Sequence, residues 1–310
     1  MFFIAGGTGF IGSHLVTSLG EKGLQGRCLI RSLKSSGSTA ICKNAGFDTV
    51  VGDITNRESL KGKLDSCEIV VHLVGIIDED QGISFEKVHV EGTDNLVNEA
   101  QRAKVRHFFY LSSLGASTSS WSRYLKTKAE AENIVRESGI PHTIFRPCIV
   151  VGKGDGFTAK LKDLISYSPV VPLPGEGKTK FQPIFVEDLI KCFIKLFSTQ
   201  LPVAHPVSPV YELGGPEQLT YNEILFQLME AMGSSKPVIH IPLEMVKLGL
   251  PLSKISRSVG SLFGKKIPSI TGEQLRLLEI DNICDTDSVE KQFGFIPIRY
   301  KEALRLFVKK

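Results

Sequence analysis

One pair of side chains in this 310-residue chain has the types and the spacing for proton transfer at neutral pH. Tyr124 and Lys128 stand four residues apart, the spacing that puts two side chains on one face of a helix. A free phenol titrates at about 10, so acid–base work at pH 7 needs a depression worth about 4 kcal/mol. An ammonium at about 4 Å, with an effective dielectric of about 20, supplies that amount. Spacing alone decides little, because chance supplies about 0.5 such Tyr–Lys matches in a chain of this composition. Position decides more. The pair opens a helix-like stretch soon after an apolar run, His107–Leu111, which ends in Ser112-Ser113. Ligands of α/β sheets bind at the carboxyl ends of strands, so Tyr124 and Lys128, with Ser112-Ser113 at the strand end, sit where catalytic residues are expected.

A second constellation lies at the amino end. Gly6-Gly7-Thr8-Gly9-Phe10-Ile11-Gly12 follows a β-rich run and opens a helix. Gly6 permits the tight turn, Gly9 lets backbone approach a pyrophosphate, and Gly12 allows close packing of helix on strand. The helix N-terminus adds N–H donors and partial positive charge, with Thr8, Phe10 and Ile11 in the same cradle. A ligand-free glycine turn has no need of this strand–glycines–helix order. At the end of the second strand, where a dinucleotide site with a free 2′-OH carries Asp or Glu, the chain has Arg31-Ser32, with Lys34 beyond. A guanidinium suits a 2′-phosphate by bidentate pairing, so NADP(H) is preferred and NAD(H) is the second choice.

The elements that must position these residues are legible as an alternation. Strand-like runs at Phe2–Ala5, Arg27–Ile30, Asp48–Val51, Ile69–Val74, His107–Leu111 and His142–Phe145 are separated by helical stretches, among them Ile11–Lys22, Phe85–Lys104 and Tyr124–Ser138. Strands apolar at every position, alternating with helices, predict a parallel sheet of about seven strands covered on both faces. Capping-box spacing occurs at Thr55…Glu58, Thr220…Glu223 and Thr271…Gln274. Ser168–Pro183, with four prolines and two glycines, predicts a loop. A helix at Glu187–Phe197 and a strand at Val210–Leu213 follow, and the remainder is mostly helical.

With these motifs in place, the chain resembles the short-chain dehydrogenase/reductase superfamily, in its extended or atypical NAD(P)-binding epimerase/dehydratase-like branch. More narrowly, it resembles proteins related to the nucleotide-binding accessory subunit of respiratory complex I. The resemblance spans nearly the whole chain. Besides the glycine turn it rests on Gly52-Asp53-Ile54, His72-Leu73-Val74-Gly75, Leu111 to Ala116, Tyr124…Lys128, Arg146-Pro147…Gly152 and Phe181 to Leu189. It implies an α/β, Rossmann-type doubly wound parallel sheet over 1–215, with a loop insertion around 153–183, and a smaller, mostly helical C-terminal cap over 216–310. It further implies Tyr124 as acid/base, Lys128 on the nicotinamide ribose and Ser113 on the substrate carbonyl. Asp53 and Ile54 would flank the adenine, and Val74, Gly75 and Pro147 would line the cofactor.

Two departures weigh against nucleotide-sugar chemistry. Ile149 stands where the family's sugar-nucleotide enzymes place Asn, and Leu114-Gly115 stands where its dehydratases place two acidic residues. The acidic run Asp78-Glu79-Asp80 predicts a solvated loop rather than catalytic carboxylates. Cys148 has no evident base partner and predicts a core thiol.

Composition narrows the class. Lys+Arg 37 against Asp+Glu 33 leaves +4, too small and scattered a charge for a nucleic-acid partner. No apolar run reaches the ~20 residues of a membrane span, and Met1 leading straight into the first strand predicts no signal or transit peptide. Six cysteines without a CxxC pair predict buried thiols of a reducing compartment, and seven dispersed histidines predict no metal site. The expectation is a cytoplasmic NAD(P)H-dependent oxidoreductase acting on a small carbonyl or alcohol. The alternative is a non-catalytic NADP(H)-binding accessory protein with a protein partner or peripheral membrane contact, and a nucleotide-sugar epimerase or dehydratase ranks third. For that contact, Ile239–Ile255, with Leu243, Met245, Val246, Leu248, Leu250 and Leu252, offers apolar surface, although its prolines favour simple cap packing.

Overall fold

Phe2–Ala5 forms β1, and all four side chains are buried, as a central strand covered on both faces requires. The structure, a computed structural model, describes residues 1–32, 36–79, 82–198, 209–247 and 271–308. After β1 come α1 (Phe10–Glu21), β2 (Gly26–Ile30), α2 (Ser36–Asn44), β3 (Asp48–Val51), α3 (Arg57–Leu60) and β4 (Ile69–His72). A π-helical turn, Glu86–Glu91, runs directly into α4 (Gly92–Arg102). Then follow β5 (His107–Leu111), α5 (Arg123–Glu137), β6 (His142–Pro147), α6 (Val186–Ser198) and β7 (Val210–Leu213). These strands make one seven-stranded sheet, in the order β7-β6-β5-β4-β1-β2-β3. Every pairing is parallel. The order reverses between β1 and β4, which opens a crevice at their carboxyl ends.

The unbroken apolar character of the strands follows from this double covering. Phe108 and Tyr110 join Leu96, Val97, Ala131 and Val135 of α4 and α5 in one cluster. Phe109, pointing the other way, meets Phe193 at 6.2 Å and Phe197 at 4.8 Å on α6. Each such buried side chain contributes roughly 1.5–3 kcal/mol.

Local details differ from expectation for physical reasons. β4 stops at His72 rather than Val74, because Leu73 N–H takes the last carbonyl of β1, Ala5 O, at 2.9 Å and the chain of β1 then turns away at Gly6. The helix expected to begin at Phe85 opens as the π-helical turn. Near α3 the cap is Asn56, whose Oδ1 accepts Ser59 N–H; Thr55 instead donates to Asp53 Oδ1 through both its N–H and its hydroxyl, at 2.9 Å each. Thr220–Glu223 forms a full capping box, and Thr271 caps through Gln274 N–H.

The chain divides into two compact units. The first comprises Met1–Pro147 and Val186–Leu213 and holds the sheet; the second comprises Cys148–Phe185 and Gly214–Lys310. The second unit contains the segment 153–183, and its core gathers Leu161, Ile165, Tyr221, Leu228, Tyr300 and Leu304. The expected loop Ser168–Pro183 contains two short strands. Val171–Pro174 pairs in parallel with Val238–Ile241, and Lys180–Phe181 pairs antiparallel with Leu219–Thr220. The prolines fit because they alternate: Val171 and Gly175 donate to Pro237 O and Ile241 O, while Pro172 and Pro174 lie between the donors. Gln182, fully buried, ties three segments together: Nε2 donates to Gly215 O at 2.7 Å and Oε1 accepts Cys284 N–H at 2.8 Å. In the apolar segment 239–255, Ile239 and Met245 are exposed, whereas 248–255 lies outside the described residues, as does Lys34. Among the described residues no helix is long and apolar enough to cross a membrane.

Candidate functional site

The glycine turn sits at the β1–β4 crevice. Gly6 has φ +93°, and a Cβ there would lie 3.1 Å from the backbone of Leu73 and Val74. A Cβ on Gly12 would lie 2.0 Å from Gly6 O, so α1 starts closer to the strand than any side chain permits. Gly7, not singled out in the motif, is also close-packed, since a Cβ there would lie 2.9 Å from Cys28 Sγ, a side chain that can move aside. Gly9 is exposed and is the N-cap of α1, with no side chain capping the helix. Thr8, Phe10 and Ile11 are half-buried beside it. The turn therefore presents helix N–H groups on a surface cleared of side chains, and this donor set fits a pyrophosphate.

The other cofactor candidates are distributed as follows. Arg31 is the first residue beyond β2 and is exposed. The Asp53 carboxylate closes a local turn onto Thr55, and Ile54 is buried against Gly92, its Cδ1 2.7 Å from where a Cβ would stand. Val74 packs on the core, Gly75 is exposed, and Pro147 is buried at the end of β6.

Ser113 and Tyr124 come together. Ser122 caps α5 by accepting Leu125 N–H, which sets Tyr124 in the first turn, where its phenol lies near enough to Ser113 for that hydroxyl to favour the ionised form. Lys128 lies one turn on and is almost wholly buried. Its Nζ donates to Leu111 O at 2.6 Å and lies 4.4 Å from the centre of the Tyr110 ring. Burial raises the Tyr124 phenol above its usual value, and the Ser113 hydroxyl only partly opposes this. The same burial lowers Lys128 to about 7, with Glu132 pulling the other way. The expected depression of Tyr124 by Lys128 is thus not what the structure shows. The ammonium is directed to a carbonyl and a different ring, and it is itself desolvated.

Two groups in this region carry no sequence signature of their own. Glu132 is fully buried, one turn beyond Lys128, and takes a bidentate pair from Arg146 (Nε 2.8 Å, Nη2 2.7 Å) and a third bond from Arg136 (2.6 Å). Its spacing from Lys128 was readable, but its partners on β6 were not. His89, buried in the π-helical turn, accepts Ile76 N–H at Nε2 (3.0 Å) and lies 2.9 Å from Thr127 Oγ1 through Nδ1. Of the acidic run, Glu79 is held by Arg123 and by Phe85 N–H, and Asp80 lies outside the described residues. Cys148 is buried, with its Sγ 3.8 Å from Cys284 Sγ; among the described residues the six cysteines form no disulfide, and Cys284 alone of them is not buried.

Residues 6–160, half of the chain, match the family model described as NAD(P)H-binding. The chain belongs to the NAD(P)H-binding family. The glycine turn and strands β2–β6 of the sheet lie within the matched span, and β1 ends just before it. Subunit 9 of the NADH dehydrogenase (ubiquinone) 1 alpha subcomplex from Arabidopsis thaliana is 27% identical over 302 residues, covering 92% of this chain and 73% of that protein. A ceramide reductase from Caulobacter vibrioides is 29% identical over 241 residues, covering 77% and 73%. The UDP-glucose 4-epimerase of Thermotoga maritima, solved with UDP-glucose, superposes with a TM-score of 0.71 at 19% identity, covering 99% of this chain and 97% of that one. The short-chain dehydrogenase/reductase resemblance, with its complex I and epimerase/dehydratase relatives and its Rossmann-type sheet, therefore stands. So does membership of an oxidoreductase-like NAD(P)H-binding family.

Proposed function

We propose that the chain is an NADP(H)-dependent oxidoreductase that interconverts a carbonyl and an alcohol on an apolar substrate. The observation that carries this reading is the approach of Ser113 to the Tyr124 phenol, with Lys128 one helical turn on, at the carboxyl edge of the sheet that bears the glycine turn. Simple nucleotide binding has no need of a phenol and a hydroxyl there. When bound, the cofactor supplies or accepts the hydride. Tyr124 gives the carbonyl oxygen its proton, and Ser113 donates a hydrogen bond to the same oxygen as negative charge develops. Lys128 serves the nicotinamide ribose, the glycine turn the pyrophosphate, and Arg31 the 2′-phosphate. Support for an apolar substrate comes from Ile149 and Leu114-Gly115, which lack the polar groups of sugar-nucleotide sites, and from the ceramide reductase relative.

A second reading, a non-catalytic NADP(H)-binding subunit, is favoured by the complex I relative, which matches 92% of the chain. One experiment separates the two. NADPH and NADH are titrated against the parent and Tyr124→Phe, and NADPH consumption is followed with quinone, keto-lipid and simple ketone panels. The expected result is tighter NADPH binding in both proteins, with turnover about 10²–10⁴-fold lower in Tyr124→Phe. Turnover unchanged in that variant rejects the mechanism. Bound NADPH with no turnover on any panel member selects the subunit reading.

A further inference from the structure

We propose that His89 is a positioning residue, a neutral clamp that holds the turn after β4 at a set distance from α5. Nothing in the motifs marks this residue, and the inference rests on the geometry around it. Ile76 N–H points at Nε2 from 3.0 Å, and a backbone N–H can only donate. Nε2 must therefore be the unprotonated nitrogen, which places the ring proton on Nδ1, 2.9 Å from Thr127 Oγ1. Thr127 in turn passes its own proton back to the carbonyls of Arg123 (2.9 Å) or Tyr124 (3.1 Å). The chain of donors thus runs one way, from the turn, through the imidazole, into the first turn of α5.

The ring's packing points to the same role. It stacks on Phe85 at 5.6 Å and meets the Tyr124 ring edge-on at 5.6 Å. Gly75 threads between the clamp and the candidate lysine: a Cβ there would lie 3.5 Å from His89 Nε2 and 3.8 Å from Lys128 Nζ. A doubly protonated ring would set two N–H donors face to face at Ile76. Burial, with the Lys128 ammonium nearby, lowers His89 to about 2 and keeps that form away at any working pH. On the reading proposed above, the clamped segment Val74–Ile76 is a wall of the nicotinamide half of the cofactor site, so the clamp sets where the nicotinamide can lie relative to Tyr124.

The test uses the full chain and has two independent arms. In the nucleotide-free protein, hydrogen exchange at the Ile76 amide is measured for the parent, His89→Leu and His89→Gln. The clamp predicts at least tenfold faster exchange in His89→Leu, and near-parent exchange in His89→Gln, whose amide can both accept from Ile76 and donate to Thr127. Thr127→Val, which removes only the far end of the chain, serves if His89→Leu does not fold, and it too should speed Ile76 exchange. Parent-like exchange in His89→Leu, or equal acceleration in Leu and Gln variants, overturns the clamp. In the second arm, His89→Leu should bind NADPH roughly tenfold more weakly while 2′,5′-ADP, which lacks the nicotinamide half, binds as to the parent. Equal losses for both ligands overturn the link between clamp and nicotinamide. A parent protein that binds neither ligand rejects the proposed cofactor and leaves the exchange arm to decide the clamp.

Discussion

Lys128 is buried with its Nζ on the Leu111 carbonyl and over the Tyr110 ring, and burial lowers it from 10.5 to about 7. In the unfolded chain the ammonium stays protonated up to its ordinary value, so between those two limits the unfolded state binds more protons. Stability therefore rises with pH across that window, by up to about 1.4 kcal/mol per pH unit, and is flat with respect to this group below it. Lys128→Met removes the titrating group. Urea midpoints followed from pH 7 to 9.5 should climb less steeply in the variant than in the parent, and parallel profiles would show that the ammonium is not desolvated. The Tyr124–Lys128 spacing was readable from the chain alone. The direction of the electrostatics was not, because it is set by a carbonyl from β5 and by the elements that exclude water.

At the scale of elements, α5 carries Tyr124, Lys128, Glu132 and Arg136 at successive helical turns, and Glu132 is the link to β6. Hydrogen bonds from Arg146 and Arg136 hold its carboxyl below the ordinary range despite complete burial. Breaking such a pair from one side leaves Arg146 in poor solvent, so Glu132→Ala should cost about 3–5 kcal/mol. The exposed pair Glu68–Arg106, 54% exposed on both sides, gives the contrast: Glu68→Ala should cost no more than about 1 kcal/mol. Urea denaturation of both variants checks this, and equal small losses would mean that α5 is not registered on β6 through Glu132. Helix periodicity marks the face of α5 that turns inward. Which strand supplies the opposing guanidinium depends on sheet order, which the local pattern does not contain.

For the whole molecule, four histidines of the first unit are buried: His72, His89, His107 and His142. Burial lowers all four, His72 to about 3 and His107 to about 4, with Lys128 adding to the effect on His72. The unfolded chain protonates His72, His89 and His107 below about 6.5, whereas the folded chain keeps these three neutral down to about pH 4, so stability is lost as pH falls below 6.5. Each histidine kept neutral contributes about 2 kcal/mol to the loss at pH 5. Unfolding measured from pH 7 to 5 should show this acid sensitivity, and His107→Gln should reduce it by about the share of one histidine. A variant with the parent's full pH dependence would show that His107 is not held neutral. The dispersal of the seven histidines along the sequence argues against a metal motif from spacing, yet it conceals that these four are buried in two pairs, His72 near His89 and His107 near His142.

Read alone, the chain determined whatever depends on neighbours in sequence. Apolar runs such as Ile69-Val70-Val71 and His107–Leu111 report two-sided burial wherever they occur. The glycines at 6, 9 and 12 report a strand-to-helix turn too tight for side chains, and the Tyr124–Lys128 interval reports a shared helical face. The seven-stranded parallel sheet follows from such signals. The tertiary structure alone decided which distant groups share a low-dielectric space. His89 became a clamp because the turn after β4 folds back over it, and Glu132 acquired two arginines because β6 lies beside β5. Lys128 lost much of its hold on a proton because three elements close around it. Desolvation and hydrogen bonding act through space over a few ångströms, and a linear pattern carries no information at that range between residues far apart in the chain.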